Sequence, residues 1–142
     1  MGRGRAVRTR ESIECWVLAG SDLVLLLHVA AGAFPPDGFW QPVTGGIERD
    51  ESPRDAAVRE VWEETALRLE PDALVQVAEG VVVPISDSLQ VVKTLFVVHL
   101  RSPVAVTTSP DEHDGHRWCP RGDVGGALTW ESNRSTWGLV RN

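Results

Sequence analysis

The stretch GGIERDESPRDAAVREVWEETAL, from Gly45 to Leu67, decides how the rest of the chain is organised. Ser52 is a favourable N-cap residue, and Pro53 suits the first position of a helix. Asp55 places a negative charge where the helix dipole favours one. The stretch therefore predicts a glycine turn followed by a helix that begins after Ser52.

The predicted helix gathers its carboxylates on one side. At about 100° per residue, Glu60, Glu63 and Glu64 fall close together. The side chains expected on the opposite face are Val58, Val61, Trp62 and Thr65. Carboxylates three and four residues apart repel each other, so the pattern favours a cation beside them. Mg²⁺ prefers oxygen ligands of this kind. The alternative interpretation is that the three glutamates form a solvated acidic surface.

The spacing of this stretch resembles the box of the Nudix hydrolase family. The matching residues are Gly45, Glu51, Arg59, Glu60, Val61, Glu63, Glu64 and Leu67. Ala66 stands where the family usually has glycine, and we expect alanine to be accommodated if the backbone there does not become left-handed. The resemblance implies an α/β/α sandwich with a mixed central sheet. It also implies Mg²⁺-dependent hydrolysis of phosphoanhydrides, with Mn²⁺ as the alternative ion.

The resemblance also suggests roles for the residues of the box. Glu60 and Glu64 are expected to be the main metal ligands, and Glu63 is expected to be a further ligand or the general base. The carbonyl of Gly45 is a further candidate metal ligand.

A second set of expected roles concerns the ends of the box helix and a later loop. Arg59 is expected to pair with Glu51 and so orient the helix against the preceding loop, because a guanidinium can hold a carboxylate through two hydrogen bonds. Glu112, in the polar segment from Ser102 to Gly115, is the rival for the general base. A solvated acidic loop is the alternative interpretation of that segment.

Residues outside the box narrow the resemblance to one branch. The run Phe-Trp-Gln-Pro-Val-Thr-Gly that ends at Gly45 is similar to dihydroneopterin triphosphate pyrophosphatases, as is Ser-Asn-Arg at 132–134. Trp40, Thr44 and Arg134 are the candidate substrate contacts. Core packing is the alternative for Trp40, and a surface position is the alternative for Arg134. No arginine lies between His28 and Trp40, although the similar enzymes have basic residues there.

The expected reaction is hydrolysis of a nucleoside triphosphate or a pterin triphosphate to a monophosphate and pyrophosphate. Hydrolysis of ADP-ribose or another nucleoside diphosphate derivative is the first alternative. A dinucleoside polyphosphate is disfavoured, because that branch uses a tyrosine after the box and this chain has none. A non-catalytic nucleotide-binding sensor is a third possibility, which the intact set of box glutamates disfavours.

Length and composition set limits on the rest. With 142 residues, of which 42% are hydrophobic, the chain suits one domain over residues 12–142, preceded by a flexible basic tail over residues 1–11. A net charge of −6 argues against general binding to nucleic acid or to anionic membranes. Cys15 and Cys119 are expected to be buried thiols, which is compatible with the cytoplasm. The oligomeric state is left open, with a homodimer as one option.

Alternating and apolar runs predict the remaining elements. Lys93 is expected to point outward, and the run from Val29 to Gly38 is expected to be a loop. The expected strands are Ser12–Leu18, Leu23–His28, Phe39–Gly45, Val75–Val83, Gln90–Leu100 and His116–Trp118. A helical turn is expected over Asp123–Leu128, followed by a final helix over Ser132–Val140 that Ser132 or Asn133 caps.

Overall fold

The structure is a computed structural model that describes residues 6–30, 32 and 36–141. Its strands are β1 (Arg8–Ala19), β2 (Leu23–Val29), β3 (Phe39–Gln41), β4 (Val43–Gly46), β5 (Val75–Ser86), β6 (Leu89–Leu100) and β7 (His113–Pro120). Its α-helices are α1 (Pro53–Thr65), α2 (Val124–Ala127) and α3 (Glu131–Val140). Short 3₁₀ turns lie at Pro71–Ala73 and Arg121–Asp123.

The seven strands of the described residues belong to one mixed sheet, with β1 in the middle. The main order is β3-β2-β1-β6-β5, and β1 runs parallel to β6 and antiparallel to its other partners. The first half of β1 pairs with β4, whereas its last residues pair with β2. Strand β7 pairs with β2. The glycine-bearing strand β4 is therefore held against the centre of the sheet.

Helices cover both faces of the sheet. Side chains alternate along β1, so that Ile13 and Cys15 face a core cluster shared with α1, whereas Trp16 and Leu18 face a second cluster shared with α3. Two apolar layers on opposite faces make the α/β/α sandwich that the sequence predicts. Within the described residues no helix is both long enough and apolar enough to span a bilayer.

The start of β1 corrects the expected tail. Residues 8–11 are strand residues and do not belong to a flexible segment, because they pair in parallel register with Leu89–Val92 of β6. Residues 1–5 of the expected tail lie outside the described residues, as do residues 31 and 33–35 of the expected loop after β2. That residues 12–142 form one domain stays a prediction.

Two expected elements differ for reasons of local geometry. Pro42 interrupts the strand expected over Phe39–Gly45, because proline has no N–H to donate to a sheet. The part before Pro42 pairs with β2, and the part after it pairs with β1. The final helix starts at Glu131, and Trp130 occupies the N-cap position without a side-chain cap. Asn133, one of the expected caps, lies inside the helix and bonds elsewhere.

The exit of α1 also differs from expectation. Ala66 has φ 61° and ψ 20°, so the backbone there is left-handed after all. The Ala66 N–H donates to the Trp62 carbonyl at 2.9 Å and closes the helix. An L-residue pays about 1–2 kcal/mol for this conformation, which glycine adopts freely. The chain therefore keeps the left-handed exit even without the glycine that favours it.

Candidate metal and phosphate site

The box helix begins as predicted, but its buried face includes the acids. The Asp55 N–H donates to Ser52 Oγ at 3.1 Å, which completes the expected N-cap. Glu64 is 1% exposed and Glu60 is 9% exposed, whereas Trp62, expected on the apolar face, is 46% exposed. The helix faces the sheet with its small residues Ala56 and Ala57, together with Val61, and this brings Glu64 to the middle of the buried face.

Strand β4 passes directly beneath one of these carboxylates. A Cβ atom at Gly45 would overlap all three carboxylate atoms of Glu60, so no larger residue fits without a shift. This close approach gives a physical reason for the glycine at this position. It places the backbone of Gly45 beside the acids, and its role as a carbonyl ligand stays a prediction.

Arg59 ties the acidic helix to the loop before it, and its predicted pairing with Glu51 is present. Arg59 Nε and Nη2 donate to the two oxygens of Glu51 at 2.8 and 2.9 Å. The Nη2 group also donates to the Gly46 carbonyl at 2.9 Å, and Nη1 donates to Glu60 at 2.8 Å. The hydrogen bonds from Arg59 hold the pKa of Glu51 below its ordinary value. Arg59 therefore positions β4 and α1 relative to each other.

A second segment completes the acidic cluster from the other end of the chain. One ligand atom each from Glu64, Glu112 and His113 lie within 4.8 Å of one another. His113 Nε2 is 3.7 Å from Glu64 Oε1 and 3.4 Å from Gln41 Nε2. The loop is brought here because β7 pairs with β2, and His28 Nδ1 lies 2.6 Å from an oxygen of Asp114.

His113 and Gln41 lie at the site, although neither was among the site residues expected from the sequence. His113 is 3% exposed and is the first residue of β7, which starts three residues earlier than predicted. Its position directly after Glu112 was the available signal. A histidine inside a polar stretch gives no indication of whether it points inward, and pairing with β2 decides this.

The cluster is electrostatically unfavourable unless a proton or a cation joins it. Burial raises the pKa of Glu64 to about 10, and the nearby carboxylates of Glu60 and Glu112 add to the shift. Burial is also the largest cause of the raised pKa of Glu112 and of the lowered pKa of His113. Neither oxygen of Glu64 has a hydrogen-bond partner within the described part of the chain. A buried carboxylate without donors is costly, so these residues fit a divalent cation with oxygen and neutral imidazole ligands.

Glu63 has a different environment from the other two helix glutamates. Its side chain is 50% exposed, and it lies 3.2 Å from Arg59 Nη1. The structure therefore separates the three acids that the sequence grouped, with Glu60 and Glu64 inward and Glu63 at the rim. Its role as a ligand or base stays a prediction.

The acids open into a polar cavity of about 380 Å³. The residues that line it are Val29, Gln41, Thr44, Gly45, Gly46, Glu60, Glu112 and His113. Of the predicted substrate contacts, Thr44 lines this cavity, although its hydroxyl donates to the Ile13 carbonyl at 3.0 Å. The cavity is large enough for part of a polyphosphate chain beside the acids.

The other two predicted substrate contacts have structural partners. Trp40 packs against His28, with ring centroids 4.8 Å apart, and does not line the acidic cavity. Arg134 Nη2 donates to the Leu128 carbonyl at 2.7 Å, and Nε donates to the Gly125 carbonyl at 3.1 Å. Both residues therefore contribute to packing or to the link between α2 and α3, and their contact with a substrate stays a prediction.

Comparison with known proteins agrees with this geometry. A family model of the NUDIX domain matches residues 8–137. The chain belongs to the Nudix family. Its Nudix fold is also that of the E. coli dihydroneopterin triphosphate pyrophosphohydrolase, with a TM-score of 0.76, 21% identity and coverage of 97% of this chain and 100% of that one. The NUDIX domain of Shewanella oneidensis NrtR, solved with ADP ribose, has a TM-score of 0.76 at 19% identity, over 94% of this chain and 87% of that one.

The matches to curated Nudix relatives are short. The dihydroneopterin triphosphate diphosphatase of Haemophilus influenzae is 62% identical over 32 residues, which are 22% of this chain and 20% of that protein. The chain is thus aligned with only about a fifth of the length of this relative. These comparisons establish the family and the fold, and the substrate is a separate question.

Proposed function

We propose that the chain is a Mg²⁺-dependent pyrophosphohydrolase that converts a nucleoside triphosphate or a pterin triphosphate into a monophosphate and pyrophosphate. The observation that carries the proposal is the buried carboxylate of Glu64, which has no hydrogen-bond partner among the described residues and lies against Glu60, Glu112 and His113. A polar cavity adjoins it. Mn²⁺ is the alternative ion for this site, because it accepts similar ligands.

In this proposal Glu60 and Glu64 hold the ion, with His113 beside them and the carbonyl of Gly45 as a further candidate ligand. When bound, the ion neutralises phosphate charge and lowers the pKa of a coordinated water molecule. The protein supplies position, since Arg59 fixes the distance between the glycine strand and the acidic helix. Little covalent chemistry is required from the protein in phosphoanhydride hydrolysis.

The reaction adds one water molecule across the bond between the α- and β-phosphates. The oxygen of the water joins one phosphorus atom, the bridging oxygen leaves with the other, and a carboxylate accepts the proton of the water. We assign Glu112 as this general base, because it lines the cavity next to Glu60. Burial is the main cause of its raised pKa. Glu63 is the alternative base, but it is held at the rim by Arg59.

The proposal is tested with a panel of GTP, dATP, dihydroneopterin triphosphate and ADP-ribose, each with MgCl₂ and with EDTA. The products are separated by ion-exchange chromatography, so that pyrophosphate, inorganic phosphate, nucleoside or pterin monophosphates and ribose 5-phosphate are each quantified. We expect pyrophosphate and a monophosphate from a triphosphate in MgCl₂ and neither product in EDTA. Cleavage of ADP-ribose alone would transfer the assignment to nucleoside diphosphate derivatives. Binding without turnover of any compound would make the chain a nucleotide sensor.

A further inference from the structure

A second groove lies beside the acidic cavity, along the same stretch of β4. Thr44, Gly45 and Gly46 line both of them. The other residues that line the groove are Arg10, Glu11, Ser12, Ile85, Val91 and Lys93. Lys93 lies on the sheet face that carries α3, since it shares a partner there with Asn133. A molecule with its phosphates among the acids could therefore reach this groove with its other end.

A buried ion pair forms the polar floor of the groove. Lys93 Nζ donates to Glu14 Oε1 at 2.7 Å, and Asn133 Nδ2 donates to the same oxygen at 3.2 Å. Trp16 Nε1 donates to the other oxygen at 2.9 Å. Glu14 is 0% exposed and Lys93 is 9% exposed, which corrects the expectation that Lys93 points outward.

This arrangement leaves donors of Lys93 for a ligand. An ammonium group has three N–H donors and no acceptor, and Lys93 uses one of them on Glu14. The carboxylate of Glu14, in contrast, is occupied by three donors from inside the protein. Of the two residues, Lys93 lines the groove, so this pair presents hydrogen-bond donors to a ligand.

Two neighbouring side chains reinforce this polarity. Ser12 is 9% exposed and lines the groove, and its hydroxyl has no hydrogen-bond partner among residues 6–30, 32 and 36–141. Arg10 lines the groove mouth and forms no ion pair with any described residue. Ile85 and Val91 supply apolar walls. Because Glu14 neutralises Lys93, the floor suits an uncharged polar ring better than a second phosphate.

We infer that this groove binds the ring of the substrate, and that Lys93, held by Glu14, selects rings with a keto oxygen beside a ring-nitrogen acceptor. Guanine, hypoxanthine and pterin rings have this pair of acceptors. Adenine has an amino group in place of the keto oxygen, so it would turn a donor towards the donors of the groove. The inference rests on the proposed function, because it requires a triphosphate in the acidic cavity.

The test compares kcat/KM for ITP and ATP, which differ at the base in the keto and amino groups. We expect ITP to be preferred by about 10- to 100-fold, the range that one well-placed pair of base contacts provides. The double variant Glu14→Leu with Lys93→Met removes both buried charges together, since removing one alone would leave the other unpaired. This variant should reduce the preference to within about threefold.

Ser12→Ala is the second variant, and it removes only a buried hydroxyl, so it should fold normally. The preference for ITP should fall by about 2- to 10-fold, in line with the loss of one hydrogen bond. Equal turnover of ITP and ATP by the unaltered chain would overturn the inference while leaving the proposed hydrolysis intact. An unchanged preference in the folded double variant would overturn it as well.

Calorimetric binding of ITP and ATP in MgCl₂ separates this inference from the proposed reaction. If neither compound is hydrolysed, the reaction fails, and tighter binding of ITP that the double variant loses would still support the groove. Equal binding of both compounds, or no binding of either, would refute the inference.

Discussion

Replacement of Glu64 by glutamine tests the metal site through stability as well as activity. Burial raises the pKa of Glu64 from 4.5 to about 10, so without metal the folded protein holds a proton on this group and the unfolded chain does not. Between these two values the folded state binds more protons than the unfolded state. The free energy of unfolding of the metal-free protein therefore falls as pH rises through this window.

The size of the effect follows from the same pKa. A pH of about 7.5 lies about 3 units above the ordinary pKa of this carboxyl group. Keeping its proton in the folded state therefore lowers the free energy of unfolding by about 4 kcal/mol, at about 1.36 kcal/mol per unit. Glutamine removes this cost but leaves a buried amide without partners, which costs about 1–3 kcal/mol. Glu64→Gln should therefore stabilise the metal-free protein by about 1–3 kcal/mol, or roughly 3–10 °C in Tm for a chain of this size.

The assay is thermal unfolding followed by circular dichroism, in EDTA and in MgCl₂, near pH 4.5 and near pH 7.5. The stabilisation by Glu64→Gln in EDTA should shrink towards the lower pH, where the unfolded carboxylate also holds its proton. Mg²⁺ should raise the Tm of the unaltered chain and leave the variant unchanged, because only the charged carboxylate binds the ion well. A variant less stable than the parent in EDTA at pH 7.5 would refute this account of the buried acid.

Four further substitutions have outcomes that the structure predicts. Ala66→Gly should raise the free energy of unfolding by about 1 kcal/mol, because glycine adopts the left-handed exit without strain; urea unfolding measures it, and a loss of stability would contradict the backbone assignment. Gly45→Ala should abolish turnover, because the new methyl group overlaps the Glu60 carboxylate and displaces it from the site; unchanged kinetics would contradict the role of this close approach. Glu112→Gln should lower kcat by about 10²- to 10⁴-fold and Glu63→Gln by less than about 10-fold; the reverse order in steady-state kinetics would exchange their roles.

The box helix could be predicted because its signals are local. Ser52 and Pro53 define its start, and the spacing of Gly45, Arg59 and the glutamates identifies the family. The pairing of Arg59 with Glu51 could also be predicted, because the two residues are only eight positions apart in the chain. Sequence periodicity could not show that Glu64 would face the sheet, because apolarity alone assigns an acid to the solvent side. The small buried side chains of Ala56 and Ala57 let this face of the helix pack against the sheet.

The features that the sequence missed depend on contacts between distant parts of the chain. Glu14 and Lys93 are 79 residues apart and meet only because β1 runs parallel to β6. His113 reaches Glu64 only because β7 pairs with β2. The left-handed backbone at Ala66 is set by the helix exit and the packing around it, and the residue type argues against it. Pairings of this kind are decided by the whole sheet.

The central claim is that the site around Glu64 hydrolyses a triphosphate to pyrophosphate with the help of a divalent cation. Its most direct test is ³¹P NMR of GTP or dihydroneopterin triphosphate incubated with the protein and MgCl₂, beside samples with EDTA and with the Glu64→Gln variant. The account predicts resonances of pyrophosphate and a monophosphate in the first sample only. Equal product formation in EDTA or with the folded variant, or release of a diphosphate and inorganic phosphate in place of pyrophosphate, would contradict it.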